Sequence, residues 1–304
     1  MTNHPLLDQF RESLTGKAPG TIDNYLRALT ALTRWIAERP GSDGTFAPEH
    51  FTRTAMQTYM DQLQRDGYSP SHRNLVKSAA SAFAEWLIDE KDLLDRNPTR
   101  RIAIEAAPLM APRMLDDDQR YVLKSLVERA GDPRGVALFA LGYHAGCRVS
   151  DVSHLKLADV HLSPRSGWIR VGYKGNKVRE IDLSKPARNG LRAYLRAKLR
   201  REDSAYVFTS QRSDRLSEAG IHHWLRTLKA NAKKSEWDLI HDLSFHDLRH
   251  DFAHRARAAS WTLEEIAFYL GHTTKRGAPA LQTTIRYTQA SREQVKQKLK
   301  LIEG

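Results

Sequence analysis

Apolar side chains recur three and four residues apart through residues 6–40, at Leu14, Ile22, Tyr25, Leu26, Leu29, Leu32 and Ile36, which predicts helix with one buried face. Pro40-Gly41 and Gly44 end that pattern. Thr54, Met56, Tyr59, Met60 and Leu63 predict a second helix that stops at Gly67. Ser69-Pro70-Ser71 opens a third, apolar at Leu75, Val76, Ala79, Phe83, Trp86 and Leu87, with His72, Arg73 and Lys77 on another face. From Asn97 to Arg113 the periodicity fails, and Pro98, Pro108 and Pro112 interrupt small residues and arginines, the character of a linker. Asp116-Asp117-Asp118 follows; three carboxylates suggest a metal site, but they also complement the positive end of a helix through Tyr121, Leu123 and Leu126, which is the better account. Val136 to Ala145 has the composition of a buried helix. Ile169, Val171 and Tyr173 alternate, Gly175-Asn176 offers a tight turn, and Val178, Ile181 and Leu183 resume, so residues 168–183 are expected to form a β-hairpin. Helices dominate thereafter. The expected organisation is a helical domain over residues 1–98, a linker over 99–112 and a second domain over 113–304.

Charge sharpens this outline. Among 304 residues the formal net charge is +12, an imbalance that points to a polyanionic partner. Residues 1–112 carry 13 Lys+Arg against 14 Asp+Glu, leaving 35 against 22 for the remainder, so the surplus lies wholly in the second domain. On the first domain the face holding His72, Arg73 and Lys77 is either solvated or in contact with DNA phosphates; Arg73 and Lys77 are the candidates. No run approaches the roughly 18 apolar residues of a membrane span. The N-terminus lacks a basic region followed by an apolar stretch, so no secretory signal is expected. The lone cysteine, Cys147, excludes a disulfide framework and fits a reducing compartment such as the cytoplasm.

Four places carry candidate chemistry. In Gly146-Cys147-Arg148-Val149-Ser150-Asp151 an arginine follows an apolar helix, and Asp151 stands where it could hold the Arg148 guanidinium, as a structural pair or as part of a site. Lys174 lies beside the hairpin turn, as a surface lysine or a projecting cation. In His246-Asp247-Leu248-Arg249-His250, His246 and Arg249 share a helical face and can present two donors to one phosphate. His246 and His250 at helical spacing could bind zinc, but Asp247 stands where the zinc-protease motif needs glutamate and no cysteine pair assists, so neither metal nor cofactor is expected. Finally Leu270-Gly271-His272 is followed by Thr283-Thr284-Ile285-Arg286-Tyr287-Thr288, a tyrosine in polar, basic surroundings rather than a core pattern. Together these meet the needs of phosphoryl transfer. Arg148 and Arg249 offer planar forks for the non-bridging oxygens, His246 and His272 add hydrogen bonds, or proton transfer in the case of His246, Lys174 can protonate a departing oxygen, and Tyr287 can attack.

The order Arg, Lys, His-x-x-Arg, Gly-His, Tyr resembles the tyrosine recombinases, the phage integrase family. The resemblance is carried by Gly146–Asp151, Tyr173–Lys177, His246–His250, Leu270–His272 and Thr283–Thr288, and more loosely by Tyr68–Arg73 and Asn97-Pro98. It implies a mainly α fold with a small β-sheet: an N-terminal helical, SAM-like core-binding domain and a mixed α+β catalytic domain ending in a tail helix. It implies an active site of Arg148, Lys174, His246, Arg249, His272 and Tyr287, with Asp151 accessory to Arg148 and His250 structural. It further implies site-specific, metal-independent recombination of double-stranded DNA through a 3′-phosphotyrosine and a Holliday junction, inside a homotetramer, with accessory proteins in some systems.

Two features bear on that expectation. The stretch between His272 and Tyr287, which includes Lys275-Arg276-Gly277-Ala278-Pro279, is longer than the common family spacing. In residues 291–304, Val295, Leu299 and Ile302 form one apolar stripe, suited to docking on its own domain or on a neighbouring protomer. A topoisomerase using the same tyrosine chemistry is the alternative; the separate N-terminal domain and the apolar tail favour a recombinase.

Overall fold

The computed structural model describes residues 4–105, 113–172, 178–197, 202–272 and 284. The chain divides into two compact units, residues 1–109 and 110–304.

The first unit is a four-helix bundle: α1 (Pro5–Ser13), α2 (Pro19–Ala37), α3 (Arg53–Arg65) and α4 (Pro70–Asp89). Residues 6–40, which the apolar period joins into one stretch, are two helices. Gly16 adopts φ +82° and Pro19 opens α2, where proline gives up an N–H that a first turn leaves unpaired anyway. Thr52 caps α3 by accepting from the Ala55 N–H, and Ser69 caps α4 by accepting from the His72 N–H. Leu29, Leu32 and Ile36 of α2 and Val76, Phe83 and Leu87 of α4 are buried in the bundle core. Phe83 and Trp86 stack near Phe10 of α1, at centroid distances of 5.2 and 5.6 Å from its ring.

This core reaches beyond α4. Asn97 donates to Ser81, Thr99 is buried, and Ile102 joins the apolar cluster, so the proline-punctuated stretch is packed on the first unit at least through Ile102. The same return segment takes up two cations. Arg73 is 4% exposed; it pairs with Glu105 and donates to Gln64 at 3.0 Å. Lys77 donates to the Ile102 carbonyl. Arg73 and Lys77, the two candidates for contact with DNA phosphates, here hold residues 97–105 against α4, a role the helical period could not distinguish from an outward face.

The second unit surrounds α6 (Pro133–Tyr143). Ahead of it, α5 (Asp117–Ala130) starts with Asp116 and Gln119 capping each other, which is the structural role expected of that acidic run, and stops at Gly131 with φ +58°. Ala137, Leu138 and Leu141 of α6 are buried with Ala187 and Leu191 of α8 (Lys185–Arg196), and a Cβ on Gly190 would stand 3.1 Å from Ala140. Between these helices, after the short α7 (Val149–Ser153), lies an antiparallel sheet of β1 (Val160–Leu162), β2 (Gly167–Val171) and β3 (Arg179–Asp182) in the order β1-β2-β3. Ile169 pairs with Ile181 and Val171 with Arg179, so the expected hairpin is present and Ile169, Val171 and Ile181 face the core. Its tip, with Lys174, lies outside the described residues. β1 is a third strand the sequence pattern did not suggest.

The remaining helices are α9 (Glu218–Ala230), α10 (Lys234–Ile240), α11 (Phe245–Ala258) and α12 (Leu263–Leu270). Lys229 of α9 is buried and donates to the His241 and Leu243 carbonyls at 2.7 and 2.6 Å, which fixes the turn into α11. Asp251 of α11, wholly buried, receives Arg120 at 2.8 Å and Arg255 at 2.7 Å and so ties α11 to α5. Among the described residues no helix is long and apolar enough to cross a membrane.

Candidate active site

Three chain corners build the site. The first follows α6: Gly146 turns the chain with φ +59°, and Arg148 stands at the entry of α7. A Cβ on Gly146 would come within 2.8 Å of Leu270, so the corner needs glycine for conformation and for room. The second is the first turns of α11, opened by Ser244 and Asp247, which bond each other across the cap and present His246 and Arg249. The third is the end of α12, where Gly271 takes φ +67° and His272 follows. There Thr262 and Glu265 cap the helix start.

Arg249 joins all three. It is 1% exposed; Nη1 donates to the Gly146 carbonyl at 2.7 Å, and Nη2 donates to the Leu270 carbonyl at 2.6 Å and lies 2.9 Å from His272 Nε2. Arg148, half-buried, donates to the Gly271 carbonyl at 3.2 Å. Two guanidiniums therefore rest on consecutive carbonyls of one helix C-terminus, the end where the backbone dipole favours cations. Such a pair has its positions fixed before any anion arrives.

The histidines differ in state. Because an arginine only donates, His272 Nε2 accepts from Arg249, which leaves the proton on Nδ1 to be donated to Thr284 Oγ1 at 3.1 Å. Burial first, then the Arg249 and Arg148 charges, pushes the His272 pKa down to about 3. His272 is thus a neutral ring that orients Arg249. His246 sits at the exposed side with its ring 4.1 Å from that of His250. Desolvation, then Arg249, lowers its pKa, so it too rests as a neutral ring at pH 7. His250 is pushed down to about 4 by burial and by His246, consistent with a structural role. Cys147 is buried, and burial raises its thiol to about 12, so it is no nucleophile at neutral pH.

These shifts set an acid limit. The folded protein keeps His272 neutral down to about pH 3, whereas the unfolded chain takes up that proton near pH 6.5. The stabilisation is complete above the unfolded value and is lost as pH falls toward the folded one. At pH 5 this histidine alone should cost about 2 kcal/mol relative to pH 7. His250 and His144, the latter also pushed down to about 4 by burial, act in the same direction. Urea unfolding at pH 7 and pH 5 checks this, and His272→Gln should flatten the dependence; an unchanged pH slope would reject the neutral buried ring.

Asp151 departs from expectation. Its carboxylate accepts from the Arg148 backbone N–H at 3.1 Å, and its ion pair, at 2.9 Å, is with Arg179 of β3. It supports Arg148 through the main chain. Sequence reasoning missed Arg179, which alternation marks only as a strand residue, and Thr284, whose sole signal was the threonine-rich run before Tyr287. The structure brings together Arg148, Arg249 and His272, with His246 on the same helix as Arg249. Lys174, Tyr287 and the tail stripe lie outside the described residues. Among the described residues no group of three or more His, Cys, Asp or Glu could hold a metal ion.

Comparison with known proteins places the chain among relatives of the same fold. Residues 113–294 match the phage integrase family, and residues 6–92 match the phage integrase N-terminal SAM-like domain. The chain is 31% identical to tyrosine recombinase XerC of Chromohalobacter salexigens, over 94% of this chain and 91% of that protein. It is 32% identical to the XerC of Pseudomonas aeruginosa, over 88% and 86%. Solved structures share the fold: the Tn1549 transposon integrase in complex with circular intermediate DNA, at TM-score 0.69 and 15% identity over 97% of both chains. XerH site-specific recombinase bound to difH also has TM-score 0.69, at 15% identity over 98% of this chain and 84% of that one.

Proposed function

The chain belongs to the phage integrase family of site-specific tyrosine recombinases, and from that premise we propose that Arg148, Lys174, His246, Arg249, His272 and Tyr287 carry out its strand exchange. The observation that carries this reading is the placing of Arg148 and Arg249 on the adjacent Gly271 and Leu270 carbonyls. Two fixed forks at one point suit the non-bridging oxygens of a single phosphodiester, where negative charge builds in the transition state.

The Tyr287 oxygen attacks phosphorus, its proton passing to His246, and the bond to the 5′ oxygen breaks as that oxygen takes a proton from Lys174. The enzyme is left joined to the 3′ phosphate through tyrosine. A 5′ hydroxyl from the partner duplex reverses the steps, so bond energy is kept and no nucleotide is consumed. His272 holds Arg249 in plane, and Asp151 holds the Arg148 main chain. Exchange of one strand from each duplex yields a Holliday junction, held in a homotetramer on two specific double-stranded sites. The first domain, whose packing includes the return segment 97–105 on α4, and the second domain, residues 113–304, act as two DNA-binding domains. The work is assigned to the cytoplasm, on chromosomal or mobile-element DNA, with accessory proteins as partners that set direction.

The test uses a pool of duplexes with a randomised core and a nick, so that a cleaved strand diffuses away. Wild-type protein should become covalently attached to a subset of sequences, and peptide mapping should find the nucleotide on Tyr287. Attachment elsewhere, or none across the pool, would overturn the assignment. Affinity for a selected duplex should also fall about 10³-fold or more between 50 and 200 mM salt, as counterions released by several phosphate contacts require; a flat salt titration would contradict a basic clamp.

A further inference from the structure

We infer that Arg179 is a positioning residue for strand exchange: it ties the returning strand of the hairpin that bears Lys174 to the corner that holds both arginines. The inference rests on the reading of Lys174 as the proton donor. Arg179 opens β3, opposite Val171, and an arginine at a strand start is ordinarily solvated. Here its side chain is 10% exposed. Nη2 donates to Asp151 Oδ2 at 2.9 Å, the same oxygen that accepts the Arg148 N–H, and Nε donates to the Tyr269 carbonyl at 3.1 Å. Its guanidinium lies directly under Gly271: a Cβ there would stand 2.7 Å from Arg179 Cδ and 2.9 Å from Nη1. Gly271 thus serves twice, supplying positive φ and leaving room for this arginine.

Tyr269 grips β3 at its other end as well, its hydroxyl donating to the Asp182 carbonyl at 2.9 Å. One turn of α12 thereby holds both ends of β3, and the same turn offers the Leu270 and Gly271 carbonyls to Arg249 and Arg148. β3 and the anion corner are thus held by the same turn. Only a planar fork donates in these two directions at once, so lysine is a poor replacement. Among the described residues Nη1 is buried without a hydrogen-bond partner, a cost that surface placement would avoid and that the tie offsets.

The experiment compares two versions of a nicked duplex selected by wild-type capture: one with the ordinary 5′ oxygen at the cut, one with sulfur in its place. A thiolate, whose acid has a pKa of about 8.5, leaves without being protonated, so the sulfur substrate bypasses the proton donor alone. Lys174→Met should lose about 100-fold or more on oxygen and recover on sulfur. Arg179→Met should show the same pattern, with sulfur cleavage within about threefold of wild type and oxygen cleavage down by about 100-fold. Both rates come from one preparation, so the folded fraction cancels. Should Arg179→Met yield no folded protein, Arg179→Lys, which keeps the charge beside Asp151 but not the fork, carries the same comparison with a smaller oxygen-specific loss. Equal losses on both substrates, or no loss on either, would overturn the positioning role while leaving Lys174→Met rescued. If Lys174→Met is itself not rescued, the proton-donor reading fails and this inference with it.

Discussion

Tyr287→Phe should form no covalent complex with a nicked duplex, while folding and binding the same duplex as the wild type does. The substitution removes one oxygen and leaves the ring. Arg148, Arg249 and the Thr284 hydroxyl that meets His272 are untouched. Binding depends on the sum of phosphate contacts, of which a single phenol is a small part, whereas covalent attachment depends on that oxygen entirely. Gel analysis under denaturing conditions reads covalent attachment, and filter binding reads affinity. Residual covalent product above background would transfer the nucleophile to another residue. Loss of binding in step with cleavage would mean that the tyrosine is a packing residue.

Arg249→Met should reduce cleavage by about 10³-fold or more, the usual effect of deleting one fixed donor to a developing oxyanion, and should also destabilise the fold. The second effect follows from the geometry. Arg249 closes the Gly146 and Leu270 carbonyls and engages His272; without it these buried acceptors lose their partner, at about 1–3 kcal/mol for each one left unsatisfied. Arg249→Lys separates the two effects, because an ammonium keeps the charge but cannot reach two carbonyls and an imidazole in one plane. Denaturant unfolding and single-turnover cleavage, measured on both variants, should show Lys recovering stability better than activity. A Met variant of full stability would contradict the structural share of this role. A Lys variant of full activity would show that charge alone suffices.

Much of the architecture was readable along the chain because it depends on local rules. Ser69-Pro70 announced α4, the acidic run at Asp116 announced α5, and alternation about Gly175-Asn176 announced the hairpin, since caps and pleats act between neighbours in sequence. The misreadings concern partners far along the chain. Arg73 looked outward on a helical wheel, yet Glu105 returns from 32 residues away to meet it. Asp151 looked like the holder of the nearby Arg148 guanidinium, yet Arg179, 28 residues on, takes its carboxylate. Periodicity tells which face a side chain occupies and is silent about what covers that face. Likewise the union of Arg148, Arg249 and His272 was reached through motif order, but the neutrality of His272 followed only from the burial of its ring beside two guanidiniums.

The bond between His272 and Thr284 changes what the long stretch between them means. Measured from His272, a tether of fifteen residues could let a tyrosine roam about 50 Å. With Thr284 moored, only the last three residues count, and whatever path residues 273–283 follow, the leash on Tyr287 is about 10 Å. Insertions or deletions within 273–283 would then leave the nucleophile's range intact, whereas Thr284→Val would weaken the mooring by about 1 kcal/mol.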